Sequence, residues 1–309
     1  MRFTLRQLSY FVAAGETGSI TQAALQVNIS QPSISAAISH LETELGVQLF
    51  VRHHAQGLSL TSAGERMMRA ARKTLRDAYE LYDVANTAVS AISGPINVGS
   101  FTTLSPLIIP ELWRSFVTRY PGVQMRVTEG SEAELLEGLR AARIDIALTY
   151  AINLTTDMSF QPLAQIPTYV LLSVGHPLAQ RASLSLQELA DEPFILLDLP
   201  LSRQYFLSMF ERAGVAPRIV AETPGPGTLR SYVAAGIGYS LMTARPRNTV
   251  AENGEPLTYI KLEGDHPPMV VGLASLRELR RPRIVEAFEE RCREMITTGN
   301  LPGMLPFDF

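Results

Sequence analysis

Residues Ser19 to Phe50, SITQAALQVNISQPSISAAISHLETELGVQLF, restrict the fold more than any other stretch of the chain. Two short amphipathic helical patterns flank a tight polar turn. The first runs from about Ile20 to Val27 behind Ser19 as N-cap; the second opens at Gln31-Pro32 and runs to about Leu45, where Gly46 stops it. Serine ahead of a helix, proline in its first turn and glycine just past its end are the punctuation that orphaned helix-end groups favour. Ala23, Ala24 and Val27 give the first helix a small apolar face, and Ile34, Ile38, Leu41 and Leu45 recur at spacings of 4, 3 and 4 on the second. Helices that meet through alanine can approach closely and cross steeply. That is the geometry of a helix-turn-helix, whose second helix fits the DNA major groove. An ordinary helical hairpin satisfies the same pattern.

Off the apolar stripe, Gln31, Ser33, Ser35, Ala36, Ser39 and His40 are small or polar, which suits close approach to base edges and phosphates. Around them stand Leu8, Phe11, Ser19, Ala23-Ala24, Ser30-Gln31-Pro32, Ser35, Ile38, Leu41-Glu42, Leu45-Gly46, Leu49-Phe50, Arg52, Leu60-Thr61 and Ala63-Gly64. At these spacings the segment resembles the N-terminal domain of the LysR-type transcriptional regulators, a bacterial family of winged helix-turn-helix proteins. A weaker resemblance runs through the rest of the chain. It implies that Ser19, Thr21, Gln31, Pro32, Ser33, Ser35, Ala36, Ser39, Arg52 and His53 face double-stranded DNA. Strand-like runs at Leu49–Val51 and Gly57–Thr61 flank Arg52-His53-His54-Ala55-Gln56. By resemblance this is the β-hairpin wing, with Arg52 at the DNA backbone and His53 or His54 near the minor groove; a solvated loop tip accounts for the histidines equally well.

Charge sets a condition on that reading. The net charge is −3 and the pI about 6.0. Residues 1–61 set Arg2, Arg6 and Arg52 against Glu16, Glu42 and Glu44, a balance of zero. Phosphate neutralisation normally supplies much of the affinity for DNA, and Ala36 and Ser39 stand where most of the family carries Arg or Lys. Binding then depends on several linked domains acting together, helped by helix N-termini that hold phosphates through backbone N–H groups. One cysteine, Cys292, excludes a disulfide framework and a cysteine-rich zinc site. No signal-peptide progression opens the chain, and no apolar run approaches the roughly 20 residues of a membrane helix. A cytoplasmic protein without a membrane partner is expected.

Ser62 to about Ile92 reads as one long helix, with Ser62 and Glu65 at capping-box spacing. Met67, Ala71, Leu75, Ala78, Tyr82, Ala85, Val89 and Ile92 form a narrow stripe between charged faces. About 30 residues at about 1.5 Å each span roughly 45 Å, more than one small domain buries. A two-helix coiled coil uses such a helix; packing on the chain's own core is the alternative. The resemblance implies a dimerisation linker.

Ser93-Gly94-Pro95 marks the domain boundary. Beyond it strand and helix alternate: strands at Ile96–Gly99, Val123–Thr128 and Ile144–Leu148, with helices at Leu107–Arg119 and Glu132–Ala142. The pattern restarts with strands at Tyr169–Val174, Ile195–Leu197, Arg218–Ala221 and Tyr239–Met242, and helices near Leu186–Ala190, Arg203–Ala213 and Thr228–Ala235. It closes with strand Met269–Ala274 and helix Ile284–Ile296. Alternation of this kind builds βαβ units. The expected class is α/β overall: an N-terminal all-α winged helix-turn-helix (1–61), a linker helix and hinge (62–94), and a C-terminal two-lobed α/β effector domain (95–309), type 2 periplasmic-binding-protein-like by resemblance. Lobe one comprises about 95–163 and 268–309, and lobe two about 164–267.

Open α/β sheets bind ligands at strand carboxyl ends. Ser100, Thr102, Thr103, Ser131, Ser202, Arg203 and Thr228 stand at four strand-to-helix junctions and, by resemblance, line an inter-lobe effector cleft; N-capping of their own helices is the alternative for each hydroxyl. Donors at four junctions, with Arg203, point to a small anion such as a carboxylate. Ala142 replaces the glycine usual in the family, which predicts an altered turn. Nothing in the chain completes a nucleophile elbow, a P-loop or a dinucleotide fingerprint, so neither an enzyme nor a cofactor or metal is expected. A solute-binding protein fits the two-lobed half alone. The reading is therefore a transcriptional regulator that binds DNA, a small effector and further copies of itself, as dimer and tetramer, with RNA polymerase a further candidate partner.

Overall fold

The computed structural model describes residues 3–53, 57–85, 92–152, 154–277 and 282–306. His54, Ala55, Gln56 and Val89, expected in the wing and linker, lie outside them. The chain divides into two compact units, Met1–Gly94 with Arg140–Arg143, and Pro95–Leu139 with Ile144–Phe309.

In the first unit, α1 (Leu5–Thr17) begins at a reciprocal cap: Gln7 N donates to Thr4 Oγ1 at 3.2 Å and Thr4 N to Gln7 Oε1 at 2.8 Å. Helix α2 (Ile20–Gln26) starts behind Ser19, whose Oγ accepts from Gln22 N at 3.4 Å. Asn28 turns the chain at φ 54, a left-handed conformation that asparagine tolerates, and α3 (Gln31–Leu45) ends at Gly46 with φ 66. Leu8, Phe11, Ala23, Ala24, Ile34, Ile38 and Leu41 share one buried core with Phe50, whose ring meets Phe11 edge-on at 5.4 Å. Strands β1 (Phe50–His53) and β2 (Gly57–Leu60) form an antiparallel hairpin. Glu42, on α3, accepts through Oε1 from Leu49 N at 2.8 Å and Phe50 N at 3.2 Å, which fixes the hairpin to the helix.

Helix α4 (Ser62–Ala85) is capped one residue earlier than the Ser62–Glu65 spacing suggests. Thr61 Oγ1 accepts from Gly64 N at 2.9 Å and donates to Gln48 O at 2.7 Å. Met68 and Ala71 are buried in the first unit's core, and Arg72 pairs with Glu16 at 3.1 Å, so the first half of α4 packs on its own domain. The long-helix expectation also needs correcting at its far end. Ile92 is not helical and β3 begins at Ser93, so Ser93-Gly94-Pro95 opens a strand, with Gly94 at φ 106 where the chain passes from the first unit to the second.

The second unit runs β3 (Ser93–Phe101), α5 (Ser105–Arg119), β4 (Gly122–Gly130), α6 (Glu132–Arg140), β5 (Ile146–Tyr150), β6 (Met158–Ile166), β7 (Tyr169–Ser173), β8 (Ser183–Leu184), β9 (Pro193–Leu197), α7 (Pro200–Ala213), β10 (Arg218–Thr223), α8 (Pro226–Ala234), β11 (Ser240–Met242), β12 (Leu257–Leu262), β13 (Met269–Leu276) and α9 (Arg283–Met295). Lobe one is a sheet of order β4-β3-β5-β13-β6, in which β13 lies antiparallel between β5 and β6. Lobe two holds β11-β7-β12-β8 and the parallel pair β10-β9. The chain leaves lobe one at Pro167-Thr168, past the expected 163, and returns through residues 263–268. Strands β6, β8 and β12 are not among the expected elements, and Leu186–Ala190 is a run of turns rather than a helix, with Leu186 and Leu189 buried all the same. Among the described residues no helix is long and apolar enough to cross a membrane.

Ala142, in the turn between α6 and β5, has φ 55. A Cβ in that conformation costs about 1–2 kcal/mol, against about 0.5–1 kcal/mol for glycine's extra freedom in the unfolded chain. Ala142→Gly is therefore expected to stabilise the protein by about 0.5 kcal/mol, read as a higher urea midpoint; a lower midpoint would contradict the strain. Glu42→Ala leaves two partly buried N–H groups without their charged acceptor, at a cost of about 1.5–3 kcal/mol. Thermal unfolding of the first unit should report that loss, and an unchanged midpoint would show that water replaces the carboxylate.

Candidate functional site

Two regions gather the candidate residues. On the first unit, Gln31, Pro32, Ser33, Ala36 and Ser39 are exposed along one face of α3, with Ser35 half-buried at its edge and Thr21 exposed on α2. The face is small because the bulk of α3 points the other way, into the core at Ile34, Ile38 and Leu41. Ser30, the N-cap residue, makes no side-chain cap bond to α3; its hydroxyl meets Ser33 Oγ at 2.8 Å instead. Ser19, half-buried, is committed to capping α2. On the hairpin Arg52 is exposed, and His53 Nε2 lies 2.7 Å from Ser59 Oγ on the opposite strand. His40 Nδ1, at the far end of α3, lies 3.3 Å from Gln7 Nε2 of α1.

The second region lies between the lobes of the second unit. A cavity of about 260 Å³ is lined by Thr103, Pro106 and Leu107 of lobe one and by Pro226, Gly227, Arg230, Met242, Ala244 and Glu252, among others, of lobe two. Thr103 is the expected residue that reaches it. Its Oγ1 stands 3.0 Å from the Tyr150 hydroxyl, which is 3.5 Å from Thr243 Oγ1, so three hydroxyls cross from one lobe to the other. Burial pushes the Tyr150 phenol above its ordinary range, so at neutral pH it is a proton donor. Ser100 is fully buried at the end of β3, and its hydroxyl has no hydrogen-bond partner among the described residues.

The other expected effector contacts are placed differently. Thr102 N donates to Gly130 O at 3.2 Å, tying the junctions after β3 and β4 together. Ser131 caps α6: its N and Oγ both donate to Glu134 Oε2 at 2.7 Å, and those bonds hold the Glu134 carboxyl below the usual carboxylate range. Ser202 is buried in the first turn of α7, and Thr228 is exposed in the first turn of α8. Arg203 binds Asp198 at 2.9 Å and Glu222 at 3.0 Å. Its charge is spent within lobe two, so the anion expected from it loses its main support.

The cation at the cavity is Arg230, which sequence reasoning missed. It is 6% exposed, and its guanidinium donates to Asn248 O at 3.0 Å, Val250 O at 2.7 Å and the Tyr259 hydroxyl, with Glu252 3.7 Å from Nε. An arginine inside the apolar run LRSYVAA was the available signal, since arginine is almost never buried unless paired. With every arm engaged, Arg230 anchors the 248–252 loop rather than offering a free charge. Among the described residues no group of three or more His, Cys, Asp or Glu is placed to hold a metal ion.

Comparison with known proteins matches each part of the chain to a domain family. Residues 5–65 match the bacterial regulatory helix-turn-helix family, lysR type, and residues 90–297 match the LysR substrate binding domain. The chain is 30% identical over 263 residues to the HTH-type transcriptional regulator YvbU of Bacillus subtilis, covering 83% of this chain and 89% of that one. It is 31% identical over 254 residues to the regulator CfxR of Cupriavidus necator, covering 82% and 79%. Among solved structures, HinK of Pseudomonas aeruginosa, a LysR family transcriptional regulator, superposes with a TM-score of 0.65 at 36% identity over 96% of this chain and 99% of that one. A helix-turn-helix core, a two-lobed α/β unit and relatives that span nearly the whole chain converge: this protein belongs to the LysR family of transcriptional regulators, with a helix-turn-helix DNA-binding domain and a substrate-binding effector domain.

Proposed function

We propose that the exposed face of α3, at Gln31, Ser33, Ser35, Ala36 and Ser39, reads the major groove, and that Arg52 and His53 on the hairpin contact the flanking backbone and minor groove. The observation that carries this reading is the small polar surface of α3 opposite its buried stripe. Pro32 and the backbone at the start of α3 approach a phosphate, as do Ser19 and Thr21 at α2. Only Arg6 and Arg52 supply positive charge among the described residues of 3–61, so one domain binds weakly. Affinity then comes from multiplicity. Helix α4 pairs two chains, and effector domains pair dimers into a tetramer. The exposed apolar residues Ile219 and Val220 on the edge strand β10, and Trp113 on α5, are surfaces suited to that pairing.

The effector is a small molecule held between the lobes, in contact with Thr103 and the apolar cavity wall and reaching the unpartnered Ser100 hydroxyl. Arg203 and Arg230 are both neutralised by their own neighbours, which favours an uncharged molecule bearing a polar oxygen over the carboxylate suggested by the sequence. Binding shifts the lobe arrangement and with it the spacing of DNA-binding units. The protein acts in the cytoplasm and reaches RNA polymerase through the promoter complex.

A Gln31→Ala/Ser35→Ala double variant is expected to lose its footprint on a duplex selected by the wild-type protein from a random library; a retained footprint would remove α3 as the reading helix. Arg52→Ala should weaken all sequences alike and reduce the slope of log K against log salt by about 1, measured by fluorescence anisotropy. A thermal-shift panel pairing neutral aromatic and aliphatic alcohols and amides with their carboxylates tests the effector class. Shifts confined to the carboxylates would reverse the charge assignment.

A further inference from the structure

The two lobes are joined by two short crossovers without regular secondary structure, Pro167-Thr168 and residues 263–268. They run side by side, because Ile166 and Met269, the residues next to them, are partners in the β6–β13 ladder. Pro167, Pro267 and Pro268 carry no N–H, so the crossovers are poor in ladder hydrogen bonds of their own. One side chain reaches both. Tyr205, on the second turn of α7, places its hydroxyl 2.8 Å from Pro267 O and 3.0 Å from Thr168 Oγ1. The proton assignment follows from chemistry. A carbonyl only accepts, so the Tyr205 hydrogen goes to Pro267 O, and the Thr168 hydroxyl must then donate to Tyr205. Helix α7 thereby holds the outgoing and the returning strand at a single point.

A second tyrosine, Tyr150, carries the hydroxyl chain from Thr103 at the cavity to Thr243 in lobe two. A molecule that takes the Thr103 hydroxyl competes with Tyr150 for it. Two tyrosines thus span the junction of the lobes at separate points, Tyr150 at the cavity wall and Tyr205 at the two crossovers.

We propose that Tyr205 is the positioning residue that sets the angle between the lobes, by clamping both crossovers. The proposal rests on the reading of this unit as the effector-responsive one, and its test uses no effector, so each can fail without the other. In the full-length chain, exposed Glu137 of α6 and Glu211 of α7 are replaced by cysteine for spin labels; buried Cys292 does not take the label. Tyr205→Phe is expected to shift or broaden the distance distribution between the labels. It should also speed amide exchange at Tyr169 and Met269 by about tenfold, the equivalent of one lost hydrogen bond, while Val98 and Leu148, in the middle of β3 and β5, keep their wild-type rates. Thr168→Val removes the other bond with little change of shape and should act in the same direction, which covers the case in which one variant folds poorly. The exposed Tyr232→Phe serves as control and should change neither readout. An unchanged label distribution in both variants overturns the proposal. So does a uniform rise of exchange across all strands, because it would mean that Tyr205 only stabilises lobe two.

Discussion

The antiparallel seat of β13 between β5 and β6 is the constraint on which the effector unit depends. Residues Met269–Leu276 return to a sheet that the chain left about a hundred positions earlier, and they pair along their whole length with Met158–Ile166. The fit is tight at Gly272: a Cβ there would stand 2.3 Å from Gln161 O and 2.4 Å from the Phe160 ring, and the ladder register shifts at the same point. Because β6 and β13 are neighbours, the two crossovers that leave them are neighbours too. The lobes are then joined at one narrow place, a cavity can lie between them, and one tyrosine hydroxyl can touch both connections.

In the DNA-binding unit the corresponding role falls to Glu42. Its carboxylate collects two backbone N–H groups at the start of the hairpin and so couples the pose of the hairpin to that of α3. The unit positions the exposed face of α3 by hydrogen bonds and alanine-mediated packing, with little net charge of its own. Weak individual contacts make occupancy of DNA sensitive to how many units engage and how far apart they stand.

Local chemistry made some elements legible and left others hidden. Ser19, Asn28, Pro32 and Gly46 bracket α2 and α3 as capping rules require, and a Thr4/Gln7 capping box opens α1 in the same way. Strand β6 alternates poorly and β12 follows a long irregular loop; both are held by partners distant in sequence, β13 and β7. Leu186 and Leu189 have helical spacing, yet they are buried from a run of turns. At the cavity, the hydroxyl of Thr103 was foreseen, while Ser131 and Arg203 are consumed by Glu134, Asp198 and Glu222 close by in the chain or on the neighbouring strand.

The sequence by itself determined the family, the helix-turn-helix and its exposed residues, the α/β alternation and the near-neutral charge of the reading domain, because each is set by side chains within a few positions of one another. Only the tertiary structure decided that Thr61 caps α4, that Arg230 rather than Arg203 stands at the cavity, that Tyr205 bonds both crossovers, and that Tyr150 reaches Thr243. Those contacts join groups that lie far apart along the chain or compete for the same donor. Which pair forms is settled by geometry and burial after the strands have assembled, and no local pattern encodes it.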